Sequence, residues 1–303
     1  MNDLTTRPAD THEMQAWQQL WLDRLAGTAE RTGMQSRAEG ALKRRERAQE
    51  AVVLRLMDGD TPVGYLGLLV VEEDGAANAI LEDVHIEQPY RRQGRGRAAV
   101  ELALAWARGR APRLNFSTDP TDPAHQALFQ RFPVRSQNMY KTLGEAPTLP
   151  QGVEARPMTA EEFAPWWVDQ IAGYAESFVI NGILPAEQAR QRSERQSAEL
   201  LPDGLGTAGH DILTITLDGE WVGALWVCHG VEPDTSFVFD VEIDAAYRGR
   251  GLGRASMLAA ERATVAAGNH RLGLNVFGHN DVAIGLYTSL GYQPVNQMRT
   301  ADL

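Results

Sequence analysis

Cysteine is nearly absent: Cys228 stands alone in 303 residues. An internal disulfide is excluded, and a reducing cytoplasm is the expected compartment. Long apolar runs are missing too. The longest, around Val63 to Val71, is short and broken by glycine, so no bilayer span is expected. The opening MNDLTTRPAD has no basic segment followed by an apolar one and does not read as a secretory signal. Positive charge is scarce, with 29 Lys and Arg against 40 Asp and Glu, a net of -11. The deficit lies in residues 151–303, which carry 10 basic and 20 acidic side chains; residues 1–150 carry 19 and 20. That balance does not suit a nucleic-acid backbone, which needs clustered Lys and Arg, and it tolerates a cationic small molecule. The 7 histidines show no metal-ligand spacing, so no metal site is expected.

What the chain does contain is a repeat. Asp83 to Arg97 reads DVHIEQPYRRQGRGR, and Asp240 to Arg254 reads DVEIDAAYRGRGLGR. At an offset of 157, 8 of these 15 positions are identical. Upstream, Arg7-Pro8 with Met14 and Trp17 answers Arg156-Pro157 with Phe163 and Trp166; downstream, Leu128-Phe129 answers Leu286-Tyr287. The landmarks keep their order, so the chain is a tandem duplication of a domain of ordinary size. The expected domains are residues 1–146 and 152–303, joined by the Pro- and Gly-rich stretch at 143–152.

The second copy gives the clearest local pattern. Val153–Arg156 reads as a strand, and Thr159 with Glu162 is a capping box that opens a helix. Pro185 suits the first position of a second helix. Asp211–Leu217 and Trp221–Cys228 form a hairpin through Asp218-Gly219. Phe237–Ile243 alternates as a third strand, then Gly251–Ala267 is helical, Arg271–Phe277 a strand, Asp281–Leu290 a helix and Gln293–Met298 a last strand. The fold class is α/β with α+β character: two tandem domains, each a mostly antiparallel mixed sheet flanked by helices.

In both copies a strand ends and Tyr-Arg-x-x-Gly-x-Gly leads into a helix. Glycines let the backbone approach a ligand closely, and the helix start gathers free amides at the positive end of its dipole. The turn is a pyrophosphate cradle or a plain tight turn; its retention in both copies favours the cradle. A dinucleotide fingerprint would want an acid at the end of the next strand, and Leu272–Phe277 has none, which disfavours a nucleotide-dependent oxidoreductase. A P-loop would want Gly-Lys-Ser/Thr, also missing.

The loop, the following strand, Asn280, the helix with Tyr287 and the Gly291-Tyr292 turn together resemble the GCN5-related N-acetyltransferases. The resemblance covers nearly the whole chain, twice, and the tandem layout is similar to that of mycothiol synthase. It implies acetyl-CoA as co-substrate and direct attack of an amine on the thioester. The pyrophosphate would lie on Arg248, Gly249, Arg250, Gly251, Leu252, Gly253 and Arg254, and by a weaker match on Arg91, Gly94 and Gly96. The backbone of Val241 and Ile243 would hold the pantetheine arm in a gap opposite the next strand. Tyr287 would protonate the leaving thiolate, Glu242 or Asp240 would be the base, and Asn275 and Asn280 would touch the cofactor. Asn280 also reads as a helix cap, and Tyr287 as a core aromatic.

The first copy departs from this pattern: Phe129 replaces Tyr287, Asp122 replaces Asn280, Ser117 replaces Asn275 and His85 replaces Glu242. Phenylalanine has no proton to give, so the first copy is expected to do little or no acetyl transfer. The expected acceptor is the amine of a small molecule, with no nucleic acid and no membrane as partner; the chain is expected to be a monomer or homodimer. A protein or peptide amine, or a non-catalytic acyl-CoA-binding role, are the alternatives. Trp166, Trp167, Tyr174 and Phe178 read as core before substrate platform, and Cys228 as a small buried apolar residue.

Overall fold

A computed structural model describes residues 4–73, 75–180 and 184–303. The first copy runs β1 (Leu4–Pro8), α1 (Thr11–Thr32), α2 (Ser36–Glu46), β2 (Glu50–Asp58), β3 (Thr61–Glu73), β4 (Ala76–Ile86), α3 (Arg95–Ala107), β5 (Arg113–Thr118), α4 (Pro123–Phe129) and β6 (Val134–Thr142). The second repeats the order with β7 (Val153–Pro157), α5 (Ala160–Ile180), α6 (Ala186–Leu200), β8 (His210–Leu217), β9 (Glu220–Glu232), β10 (Thr235–Ile243), α7 (Leu252–Ala266), β11 (Arg271–Phe277), α8 (Asp281–Ser289) and β12 (Gln293–Asp302). Local chemistry sets these boundaries. Asp10 and Glu13 form a reciprocal capping box at the start of α1. Thr159 and Glu162 do the same for α5, with bonds of 3.3 and 2.9 Å. Asp218 and Gly219 both take positive φ, 52° and 87°, as the hairpin between β8 and β9 requires. Pro185 is the cap of α6 and not its first residue, because its ψ of 154° is extended.

The chain divides into two compact units. Unit 1 is Met1–Gln137, Phe277–His279 and Pro294–Leu303; unit 2 is Asn138–Val276 and Asn280–Gln293. The C-terminal strand thus completes the unit built by the other copy. β12 pairs antiparallel with β5 from Gln297/Thr118 to Asp302/Arg113. Arg299 fixes it there by donating to the Phe132 carbonyl at 2.6 Å. In unit 2 the end of β6 lies beside β11. The Leu143 amide donates to the His270 carbonyl at 2.7 Å, and Lys141 pairs with Glu261 at 2.7 Å. In sequence this strand order is invisible, because β6 and β12 carry the same alternation.

Each unit has its own core. Leu56, Leu66, Leu68, Val100, Leu114 and Phe116 pack together in unit 1. Ile215, Leu225, Val227, Met257, Leu272 and Tyr292 do so in unit 2. Burial of such side chains, roughly 1.5–3 kcal/mol each, is the main stabilising term in both. Both units also share a break in the sheet. The antiparallel register slips by one residue between Val238 and Asp240 on β10, and between Gly67 and Leu68 opposite β4. The slip turns Val238 and Val241 to the same core and Asp240 and Glu242 away from it. Parallel pairing of β10 with β11 runs from Thr235/Arg271 to Val238/Leu274 and stops at the slip. In unit 1 the β4–β5 pairing spans three residue pairs and stops at the same place. Past that point each strand offers a row of backbone groups to whatever occupies the gap. Among the described residues no helix is long and apolar enough to cross a membrane.

Candidate active site

The gap beside β10 opens into a cleft of about 510 Å³ in unit 2. Its floor is Asp240, Val241, Glu242 and Ile243. Arg248 and Gly253 close one end, Asn280, Ala283, Leu286 and Tyr287 of α8 form one wall, and Asp169, Gln170 and Gly173 of α5 form the other. Eight of the residues singled out in the sequence line this one space: Asp240, Val241, Glu242, Ile243, Arg248, Gly253, Asn280 and Tyr287.

The remaining residues of the glycine loop shape the cleft without lining it. Gly249 and Gly251 have φ of 76° and 80°, a region that side chains with a Cβ avoid. Gly251 caps α7, and the first helical bond runs from the Ala255 amide to its carbonyl, so the amides of residues 252–254 lack intrahelical partners. Arg248 folds back, its Nε donating to the Ile243 carbonyl at 3.0 Å. Arg250 stacks over Tyr247, Leu252 is buried in the core and Arg254 donates to Ser289. This is a built anion cradle: free amides, a helix N-terminus and glycine backbone with open space beside it. Asn275 does not reach the cleft. Its side-chain amide donates to Asn138 at 2.6 Å, a bond made possible by the end of β6 lying against β11.

The acid–base groups sit in unlike surroundings. Burial first, and then Glu242, push the Asp240 carboxyl up to about 7, although the Gln170 side chain and the Val241 amide bond to it. Its Oδ2 is out of solvent and has no partner. Burial also raises Glu242, with Asp169 adding repulsion and Arg248 opposing it. Burial and the nearby Asp240 hold the Tyr287 phenol at about 12, so it keeps its proton at neutral pH. Asn280 caps α8 by accepting from the Ala283 amide at 3.1 Å while lining the cleft. Trp166 and Phe178 are buried and Trp167 is partly buried, whereas Tyr174 is exposed and donates to Gln196 at 3.2 Å. Cys228 lies beside His210 and burial pushes its thiol up, away from thiolate chemistry.

Unit 1 keeps the loop and differs at the residues that correspond to the cleft. Arg91 Nε donates to the Ile86 carbonyl at 2.7 Å, Gly94 caps α3 at φ 81°, and Gly96 packs near Leu128. Arg92 takes the left-handed position held by Gly249. Phe129 is buried against Phe116 with ring centres 4.7 Å apart. Asp83, in the place of Asp240, accepts from Trp17 Nε1 at 2.8 Å and from Arg24 Nη2 at 2.5 Å. Arg24 Nη1 also meets His85 Nδ1 at 3.2 Å.

Motif reading missed the α5 wall. A signal for it exists: aligning the two capping boxes, at an offset of 149, sets Gln170 opposite Trp21 and Gly173 opposite Arg24. The offset differs from that of the glycine loops because the intervening loops differ in length.

The model of the acetyltransferase (GNAT) family matches residues 13–132 and 180–292, one region per copy. Relatives agree. The uncharacterized N-acetyltransferase YycN of Bacillus subtilis is 32% identical over 152 residues, 48% of this chain and 96% of that protein. The mycothiol acetyltransferase of Paenarthrobacter aurescens is 26% identical over 242 residues, 78% of this chain and 73% of that protein. The crystal structure of a GCN5-related N-acetyltransferase from Sphaerobacter thermophilus superposes with a TM-score of 0.52 at 18% identity, covering 99% of this chain and 95% of that one, and so shares its fold. The chain belongs to the acetyltransferase (GNAT) family and is an N-acetyltransferase with two such regions in tandem.

Proposed function

We propose that unit 2 transfers the acetyl group of acetyl-CoA to the primary amine of a small molecule in the cytoplasm, and that unit 1 is catalytically idle. The observation that carries this reading is convergence. One cleft gathers an anion cradle, an open edge of β10 backbone, a protonated phenol and a carboxylate with a free oxygen.

The residues divide the work as follows. The amides at the start of α7 and the Arg248 region bind the pyrophosphate of acetyl-CoA. The open edge of β10 at Val241 and Ile243 bonds the pantetheine arm and the thioester carbonyl. The acceptor arrives as an ammonium ion and must lose a proton before its nitrogen attacks. Asp240, poised near 7, takes that proton, with Glu242 as the second carboxylate of the floor. The carbon–nitrogen bond forms, the carbon–sulfur bond breaks, the nitrogen gives its second proton to solvent, and Tyr287 donates its proton to the departing thiolate. The thiol of pKa ~8.5 leaves more readily with a protonated phenol beside it. The phenolate regains a proton from solvent, so acetyl amide, free CoA and one proton are released.

Calorimetric titration with acetyl-CoA, with NADH as control, tests the donor. Binding that is lost in Gly251→Val and absent for NADH is expected; binding of NADH in place of acetyl-CoA would overturn the reading. Release of free CoA on adding primary amines tests the reaction itself, and a protein that binds acetyl-CoA but releases none would be an acyl-CoA-binding module instead.

A further inference from the structure

Unit 1 contains its own demonstration of what fits over the strand carboxylate. There, a single guanidinium spans two positions of β4: Arg24 touches Asp83 through Nη2 and His85 through Nη1. His85 is kept neutral by burial and by Arg24 itself, so one cation faces one anion.

Unit 2 has the same strand with the cation removed and anions added. Gly173 stands where Arg24 does, and a Cβ there would meet nothing within 4 Å. Glu242 stands where His85 does, and Asp169 from α5 joins the same cleft in the place of Leu20. Three carboxylates share the space with one guanidinium, Arg248, which is turned toward the Ile243 carbonyl. The second partner of Asp83 is gone as well. Trp226 fills the strand position of Gly67, across from the aspartate in each unit, and Trp166 Nε1 is left buried without an acceptor. Asp240 lines this cleft, and its Oδ2, sealed from solvent, is left without a donor. A single amine, once its proton has passed to Asp240, leaves the charges of Asp169 and Glu242 unmatched.

We propose that the recess left open by Gly173 is a cation subsite, and that the acceptor is at least dicationic: a diamine or aminoguanidine. One nitrogen reacts, and the other stays charged between Asp169 and Glu242. The assignment of the ligand as acceptor rests on the acetyl-transfer reading above; the cation subsite does not.

Butane-1,4-diamine and 1-aminopentane are matched probes, equal in length and differing by one charge. Binding of each to the full chain, with and without CoA, is measured by nuclear magnetic resonance titration at fixed ionic strength. The diamine is expected to bind at least tenfold more tightly, with saturable shifts at the Gly173 amide and the Gln170 side chain. Gly173→Arg, at an open helical position, is expected to abolish that preference while acetyl-CoA still binds. Asp169→Asn, on the exposed face of α5, is expected to reduce it without adding bulk. Equal binding of the two amines, or a diamine preference that survives both substitutions, would overturn the subsite. Failure of the donor reading shows separately, as diamine binding without any binding of acetyl-CoA.

Discussion

Asp83 and Asp240 occupy the same place on the same strand of two copies of one fold, and their environments are opposite. Asp83 holds two donors, one from a tryptophan and one from an arginine. Asp240 has neither and is pushed up to about 7. Two neighbours make the difference, and neither belongs to the glycine-loop motif. Gly67 lets the Trp17 ring lie against the strand, since a Cβ there would come within 2.6 Å of it; unit 2 has Trp226 instead. Arg24 reaches across from α1, and unit 2 has Gly173. A buried carboxylate with charged donors is a structural element. The same carboxylate without them has its charged form disfavoured.

Exchanging residues between the units tests this comparison. The largest effect is expected from Tyr287→Phe, which copies Phe129 into unit 2. Turnover should fall by roughly 10²–10⁴-fold while acetyl-CoA affinity is little changed, as read by CoA release and calorimetry. Unaltered turnover would remove Tyr287 from the mechanism. Gly67→Ala should lower the stability of unit 1 by roughly 1–3 kcal/mol, because the Trp17 ring must move off its bond to Asp83; thermal unfolding reads this. Arg24→Ala should destabilise unit 1 by roughly 1–2 kcal/mol, since the arginine is partly exposed and Trp17 remains.

Asp240→Asn separates the units by pH. In the folded protein this carboxyl titrates near 7, above its unfolded value, so the fold opposes ionisation. Wild-type stability from this group is greatest in acid and declines as pH rises from about 4 to about 7. The asparagine variant lacks that decline, and its stability relative to wild type should grow by roughly 1–3 kcal/mol between pH 5 and pH 8 in denaturant unfolding. The rise of kcat/KM through about 7 should vanish in the same variant. The smallest effect is expected from Asn280→Ala: about 1 kcal/mol, from loss of the α8 cap seen in thermal unfolding.

Much of this was legible in the chain. The duplicated glycine loop, the exchange of Tyr287 for Phe129 and the alternation of Asp240 and Glu242 against Val241 and Ile243 follow from short-range pattern. Such features depend on spacings within one strand, one turn or one helix. The residues that tune the cleft were harder to read. Gly173 and Gln170 lie on a helix some seventy positions before the strand they face. Trp226 matters only as the cross-strand neighbour of Asp240, a relation fixed by register. Asn275 does not line the cleft, and its partner Asn138 lies on β6, a contact that no local pattern reveals.

The sequence by itself determined the duplication, the order of strands and helices, and the exchange of Tyr287 for Phe129, because each is written in local spacing and side-chain chemistry. Tertiary structure alone decided which strand completes which unit, and which of two identical aspartates lacks the tryptophan and arginine donors. Both depend on what lies across a gap from a residue, and the free energy of burying a charge is set by those distant neighbours rather than by the residues beside it in the chain.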